Sequence, residues 1–194
     1  MIERDATLGG TCLNRGCIPS KALISATHAI DSIRHAGELG ISATINGIDY
    51  GTLHDYKKRI VDTMTQGLAG LLAHRGVTVF RGVASITGAA RPITVHIAAP
   101  ADGQDVQRSV RSDVPEDIGP SYDITAQDVV LAMGSAPRQL PGEPFRGAII
   151  DSTRAMSMAM PHKGVIIGAG AIAAEFASMW YAAGCKVTML IRKD

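Results

Sequence analysis

The chain has 194 residues, with 19 Lys+Arg against 18 Asp+Glu, three Cys and 4% aromatics. A formal charge of +1 offers no electrostatic footprint for nucleic acid or an anionic membrane. Three cysteines are odd in number and too few for a secreted disulfide framework, which points to a reducing cytoplasmic compartment. A hydrophobic content of 46% with 21 Gly suits a globular α/β protein and excludes a disordered one.

The N-terminal MIERDATLGG carries charges around no apolar core, so it is not a secretory signal. From Thr11 to about Arg34, Ala22, Leu23, Ala26, Ala29, Ile30 and Ile33 recur at three- and four-residue spacing. This predicts a helix, closed by Gly37 and Gly40. A second helix is predicted from Leu53 to His74, with Ile60, Met64, Leu68, Leu71 and Leu72 on one stripe and Gly76 as its stop. Val77–Phe80, Ala84–Ile86 and Ile93–Ile97 read as short strands separated by Gly and Pro. Residues 100–123 are polar, hold Pro100, Pro115 and Pro120, and read as a mobile excursion between strands. Val129–Ala132, ending at Gly134, reads as a buried strand, and Pro137, Pro141 and Pro144 mark a connector.

A new unit follows: Val165–Ile167 as strand, Gly168–Gly170 as turn, Ala171–Ala183 as helix and Val187–Ile191 as strand. From Gly164 to Cys185 the only charge is Glu175. About 20 apolar residues suffice to cross a bilayer, but a carboxylate near the midpoint is costly there, so this run reads as protein core. A lone βαβ cannot cover both faces of a parallel sheet. The sequence therefore reads as a piece of a longer protein, cut within a second domain.

Cys12 and Cys17 lie in GGTCLNRGCIPSKAL. The pair can be two buried thiols, half of a zinc site or a redox disulfide. Zinc would need two more Cys or His at short spacing, and none stand nearby; no metal site is expected. Helical positions five apart are separated by about 8.6 Å between Cα atoms, whereas a disulfide needs about 4.4–6.8 Å. A bridged pair therefore requires a distorted segment, and Gly16 with Pro19 fits a helix whose regular part begins only near Cys17. A thiol there would feel the helix N-terminus, and Lys21, one turn on, would favour the same thiolate.

This stretch resembles the active-site signature of the flavin-dependent pyridine nucleotide–disulfide oxidoreductases, most closely in their dihydrolipoamide dehydrogenase branch. The TQGLAGLL of the second helix and the segment VVLAMGSAPRQLPG are similar to the same family. The resemblance implies a Rossmann-like FAD-binding domain over 1–155, incomplete and carrying a small β-meander, then the first βαβ of an NAD(P)-binding domain over 156–194. It implies that Cys12 attacks a dithiol/disulfide substrate, small or carried on a lipoyl domain. Cys17 would face the flavin as charge-transfer thiolate, and Lys21 would lie beside the flavin N5. Glu3 would hold the adenosine ribose, with the segment through Gly9, Gly10 and Thr11 lining the FAD. Ala84 would contact adenine through its backbone, and Gly134 and Ser135 would meet the cofactor locally. Met133 departs from the family's usual threonine. The family's first flavin strand would precede Glu3, and its catalytic base would come from a C-terminal His-x-x-x-x-Glu of the other subunit of a homodimer. None of the six His here has Glu five residues later. The piece alone is expected to show no turnover.

Gly168-Ala169-Gly170-Ala171-Ile172-Ala173 is a GxGxxA turn between an apolar strand and a helix, the context a dinucleotide fingerprint needs. Gly168 permits the turn, Gly170 lets backbone approach a pyrophosphate, and Ala173 allows close helix–strand packing. Periodicity leaves Glu175 as an exposed helix acid or, by the resemblance, the partner of Lys21. An acid about 20 residues past the turn would bind an NAD ribose. The chain has Ile191, then Arg192, which could take a 2′-phosphate, so the cofactor reading is NAD(P)(H) with a slight lean to NADP(H). An NADPH-dependent reductase of a small disulfide is thus the alternative enzyme, and a non-catalytic redox-sensing or binding module the alternative of another class.

Overall fold

The computed structural model describes residues 1–100 and 119–192, and the backbone of 107–109. By packing, the chain divides into two compact units, Met1–Gly10 with Met64–Ser135, and Thr11–Thr63 with Ala136–Asp194. This grouping follows packing, whereas the expected boundary at 155/156 follows chain order.

The first unit holds β1 (Ile2–Glu3), β2 (Val79–Arg81), β3 (Val83–Gly88), β4 (Ile93–Ala98), β5 (Gln107–Ser109) and β6 (Ser121–Ala126). It also takes the second part of the long helix α3 (Tyr50–His74). β1 runs parallel to β2, with Ile2 opposite Phe80, and β5 pairs antiparallel on the other side of β2. β3, β4 and β6 form an antiparallel meander, the small insertion expected from the resemblance. Its inner face follows the period-two pattern of strands: Val95 and Ile97 are buried, Tyr122 and Ile124 pack beside Ile97, and Phe80 stacks on Tyr122 at 5.9 Å. The outer face carries His96, whose Nδ1 meets Asp123 Oδ1 at 2.6 Å.

Two expectations fail in this unit. Within the supposed excursion 100–123, residues 107–109 form β5 and β6 already begins at Ser121; residues 101–106 and 110–118 lie outside the described residues. Proline and polarity marked the turns there but hid the alternation of β6. Val129–Ala132 forms no strand, and Val130 and Leu131 are 89% and 64% exposed. An apolar run becomes a buried strand only when a neighbouring strand accepts its backbone bonds, and among the described residues none does.

The second unit contains α1 from Thr11 onward (α1 spans Gly10–Arg15), α2 (Cys17–His35), a 3-10 turn (Ala36–Leu39) and the first part of α3. It continues with α4 (Ser152–Ala155), β7 (Lys163–Ile167), α5 (Ala171–Ala182) and β8 (Lys186–Leu190). The helix predicted from Thr11 to Arg34 is thus interrupted at Gly16. β7 and β8 pair in parallel, with Val165 opposite Thr188, completing the expected βαβ. Leu23 of α2 packs with Met156, Phe176, Met179, Trp180 and Cys185 in one apolar core, and Phe176 meets Trp180 edge to face. Cys185 is a buried small residue at the entrance of β8, as the sequence implies. From α3, Lys57 Nζ donates to the Met156 carbonyl at 2.6 Å, and His54 Nε2 lies 3.2 Å from the Met158 carbonyl. Burial holds the Lys57 ammonium below its usual pKa. Among the described residues no helix is long and apolar enough to cross a membrane.

The packing of α5 on β7 depends on a missing side chain. A Cβ at Gly164 would lie 2.6 Å from Trp180 Cζ3, closer than carbon atoms approach. Gly164→Ala is therefore expected to cost about 1–3 kcal/mol, the usual range for overpacking. Urea unfolding followed by Trp180 fluorescence measures it; an unchanged midpoint would show that the indole yields freely.

Candidate active site

The cysteine segment is shaped by its interruption. Gly16 separates α1 from α2, and a Cβ there would sit 2.8 Å from the Thr11 carbonyl oxygen and 3.3 Å from the Cys12 Cα. A bare backbone at Gly16 therefore allows the end of α1 to fold against the start of α2. Cys17 is the first residue of α2. Both cysteines are free, exposed thiols. Hydrogen bonding to Cys17 is the main reason the Cys12 thiol is held above its ordinary pKa, while the Lys21 charge pulls the other way. For Cys12, the neighbouring Cys17 outweighs the ammonium.

Lys21 has its own partner. Its Nζ forms an ion pair with Glu175 Oε1, reaching from α2 to α5, and the two side chains are 58% and 30% exposed. The carboxylate holds the Lys21 ammonium above its usual pKa. The other carboxylate oxygen, Oε2, lies 3.2 Å from Ser20 Oγ, a buried hydroxyl also 3.1 Å from the Cys17 carbonyl. Cys12, Cys17, Lys21 and Glu175 therefore occupy one end of the α2–α5 contact.

The glycines of the Gly168–Ala173 turn differ in backbone conformation and surroundings. Gly168 has φ +125, a region that L side chains rarely adopt, and a Cβ there would touch Ala173 at 3.9 Å. Gly170 is the N-cap of α5, caps no N–H with a side chain, and has no atom within 4 Å of where a Cβ would stand. The first N–H groups of α5, beginning with Ala171 and Ile172, thus lack a side-chain cap, an arrangement that fits a pyrophosphate oxygen. Ala169 and Ile172 are exposed beside them. A groove of about 570 Å³ runs past Gly168, Gly170, Ile172 and Ala173. Ile191, 63% exposed, and Arg192 follow β8, where an acid would read the ribose of NAD.

The remaining residues assigned by resemblance to a flavin lie mostly in the first unit. Glu3 closes β1, and its Oε1 accepts the Asp5 N–H at 3.0 Å. Gly9 and Gly10 follow with φ 107 and 55. A carboxylate at a strand end before two left-handed glycines fits an adenosine ribose and its phosphates in kind. Ala84 is exposed on β3, and Gly134 and Ser135 lie in the unpaired segment beside the exposed Met133. Thr11 belongs to the second unit.

Three contacts escape sequence reasoning. Ser20 lies inside the quoted signature but carries no signal that it reaches α5. Arg34 Nη1 donates to the Ala182 carbonyl at the end of α5, which no periodicity announces. The approach of Trp180 to Gly164 could have been suspected from a glycine within an otherwise apolar strand.

Because Glu175 raises the Lys21 pKa, the ion pair favours folding with Lys21 protonated. Its contribution is complete below the ordinary lysine value of about 10.4 and is lost as pH rises through the higher folded value. The melting temperature of the chain should exceed that of Glu175→Gln up to about pH 10, with the gap closing above it. A gap that persists undiminished in stronger alkali would assign the effect to packing.

Comparison with known proteins agrees with this geometry. The chain matches the pyridine nucleotide-disulphide oxidoreductase family over residues 1–194. It is 36% identical over 195 residues to a dihydrolipoyl dehydrogenase of Chlamydia pneumoniae, covering 100% of this chain and 37% of that protein. It is 35% identical over 190 residues to the dihydrolipoyl dehydrogenase of Geobacillus stearothermophilus, covering 97% and 36%. In three dimensions it is similar to LpdA from Mycobacterium tuberculosis, with a TM-score of 0.78 at 24% identity, over 98% of this chain and 38% of that one. The chain thus spans little more than a third of the relatives it matches. With its thiol pair, its glycine turn and every residue inside the matched region, the chain belongs to the pyridine nucleotide-disulphide oxidoreductases.

Proposed function

We propose that this chain supplies the disulfide-exchanging segment and the dinucleotide turn of a flavoprotein oxidoreductase of the dihydrolipoyl dehydrogenase type. The observation that carries this reading is the pair of exposed, free thiols set on either side of the Gly16 break. Relatives named dihydrolipoyl dehydrogenase support the substrate class, a dithiol/disulfide that is small or borne on a lipoyl domain. In the reducing direction, the Cys12 thiolate attacks one sulfur of the substrate disulfide. A mixed disulfide forms, and the second substrate sulfur leaves and takes a proton. The Cys17 thiolate then attacks Cys12 Sγ, which releases the dithiol and leaves Cys12 and Cys17 bridged. Atoms and electrons balance: the cysteine pair loses two electrons and the substrate gains them.

FAD, when bound, supplies two-electron exchange between the cysteine pair and a nicotinamide. Glu3, Gly9, Gly10, Thr11, Ala84, Gly134 and Ser135 would hold it, with Cys12 and Lys21 on the side of its reactive ring. Gly168 to Ala173 would hold the pyrophosphate of NAD(P). Glu175 keeps Lys21 in place and protonated. The ion pair thereby fixes the position of the ammonium beside the thiols while offsetting its charge. The full-length protein would act as a cytoplasmic homodimer.

One observation favours a second reading of the nicotinamide side. Ile191 and Arg192 stand where an NAD-reading acid is absent, which suits NADP(H) and a small-disulfide reductase. In a full-length protein containing this region, Arg192→Glu should move preference from NADPH towards NADH. Unchanged selectivity removes Arg192 as a 2′-phosphate ligand.

The exchange step is testable on the chain itself. Reduced protein mixed with lipoamide should lose the mass of two hydrogens, with Cys12 and Cys17 recovered in one bridged peptide. Cys17→Ser should instead trap lipoamide on Cys12. Failure of either thiol to exchange, with Cys185 still protected, would overturn the reading.

A further inference from the structure

Ser20 is buried in the first turns of α2, with 6% of its surface exposed. Its backbone N–H donates to the carbonyl of Gly16, the N-cap of α2, at 3.1 Å. Its hydroxyl faces two acceptors at nearly equal distance, Glu175 Oε2 at 3.2 Å and the Cys17 carbonyl at 3.1 Å. A hydroxyl has one proton to donate and lone pairs to accept with. Ionised Glu175 is the stronger acceptor and draws that proton. A protonated Glu175 could instead donate to Ser20 Oγ, which would then donate to the Cys17 carbonyl. One oxygen therefore satisfies both charge states of Glu175 without moving.

We propose that Ser20 is a positioning residue, whose hydroxyl fixes the Glu175 carboxylate against Lys21 and ties that ion pair to the backbone of Cys17. The titratable groups gathered here are Cys12, Cys17 and Lys21 from the α1–α2 segment and Glu175, the only charged residue of α5. Lys21 is the group whose charge lowers the cost of a thiolate, and Glu175 neutralises that charge. A carboxylate free to rotate compensates Lys21 less completely than one held at both oxygens. Ser20 therefore sets how much of the lysine charge the thiols feel. The functional meaning of this control rests on the disulfide-exchange reading above; its measurement does not.

Alkylation by iodoacetamide reports thiolate without any disulfide chemistry. The rate at Cys12 and Cys17, resolved by peptide mass, is followed from pH 6 to pH 10 in reduced chain. Ser20→Ala should raise the rate near neutral pH about two- to threefold and shift the pH profile to lower pH, because Lys21 becomes less neutralised. Glu175→Gln should produce a larger shift in the same direction. In the Glu175→Gln background, Ser20→Ala should add nothing, since the hydroxyl then has no carboxylate to hold. Ser20→Thr, which keeps the hydroxyl, should stay near the unsubstituted profile, while Ser20→Val, of the same shape, should follow Ser20→Ala. Protection of Cys185 in each variant shows that it is folded. If Ser20→Ala does not fold, the Thr and Val pair carries the comparison. Equal effects of Ser20→Ala with and without Glu175, or indistinguishable Thr and Val profiles, would overturn the proposal. Such a result would leave lipoamide exchange standing, whereas failure of exchange with an intact Ser20–Glu175 coupling would sink only the functional reading.

Discussion

Helix α5 has to meet two demands at once, and much of the second unit follows from that. On its sheet side, Trp180 lies on the bare backbone of Gly164, which lets the helix approach β7 closely. On its other side, Glu175 must reach Lys21 and Ser20 on α2, while the shared core of Leu23, Phe176, Met179 and Trp180 presses the helices together. Rotating α5 to relieve the indole would carry the carboxylate away from α2. Arg34, bonded to the carbonyl at the far end of α5, adds a further point of attachment. The helix that opens at the dinucleotide turn is thus the helix that organises the charges beside the cysteines.

That arrangement explains how two chemistries remote in sequence come to share one frame. The thiols belong to the first tenth of the chain and the glycine turn to its last part, yet α5 carries both the turn at its N-terminus and Glu175 one turn further on. A change in how α5 sits, for instance on occupation of its N-terminus by a pyrophosphate, would be felt at Lys21 through side chains in direct contact. Such coupling by packed, rigid elements needs no long pathway.

The elements that were legible from sequence are those whose signals are local. α2 and α3 announced themselves through apolar spacing, and the βαβ through its strand–glycine–helix order. The break at Gly16 was implied by the geometry a Cys12–Cys17 pair requires. What could not be read depends on partners distant along the chain. Val129–Ala132 has the composition of a buried strand, but pairing is a property of its neighbours, and among the described residues it has none. Ser20 looks like an unremarkable helix residue until α5 is placed against it. The influence of Cys17 on the Cys12 thiol was hidden for the same reason, because it depends on how the Gly16 break brings the two residues together.

The three cysteines differ in one further respect. Cys12 and Cys17 face solvent, whereas Cys185 is 5% exposed within the core, where burial pushes its thiol pKa up. Its N–H closes the end of α5 on the Trp180 carbonyl at 2.8 Å, so it cannot reach reagent while that helix stays docked. The native thiol titre of the reduced chain should therefore be two, and the missing third equivalent would serve as an internal clock for the opening of the second unit. Followed in time, its appearance measures how often the βαβ detaches from its core, with no label added to the protein.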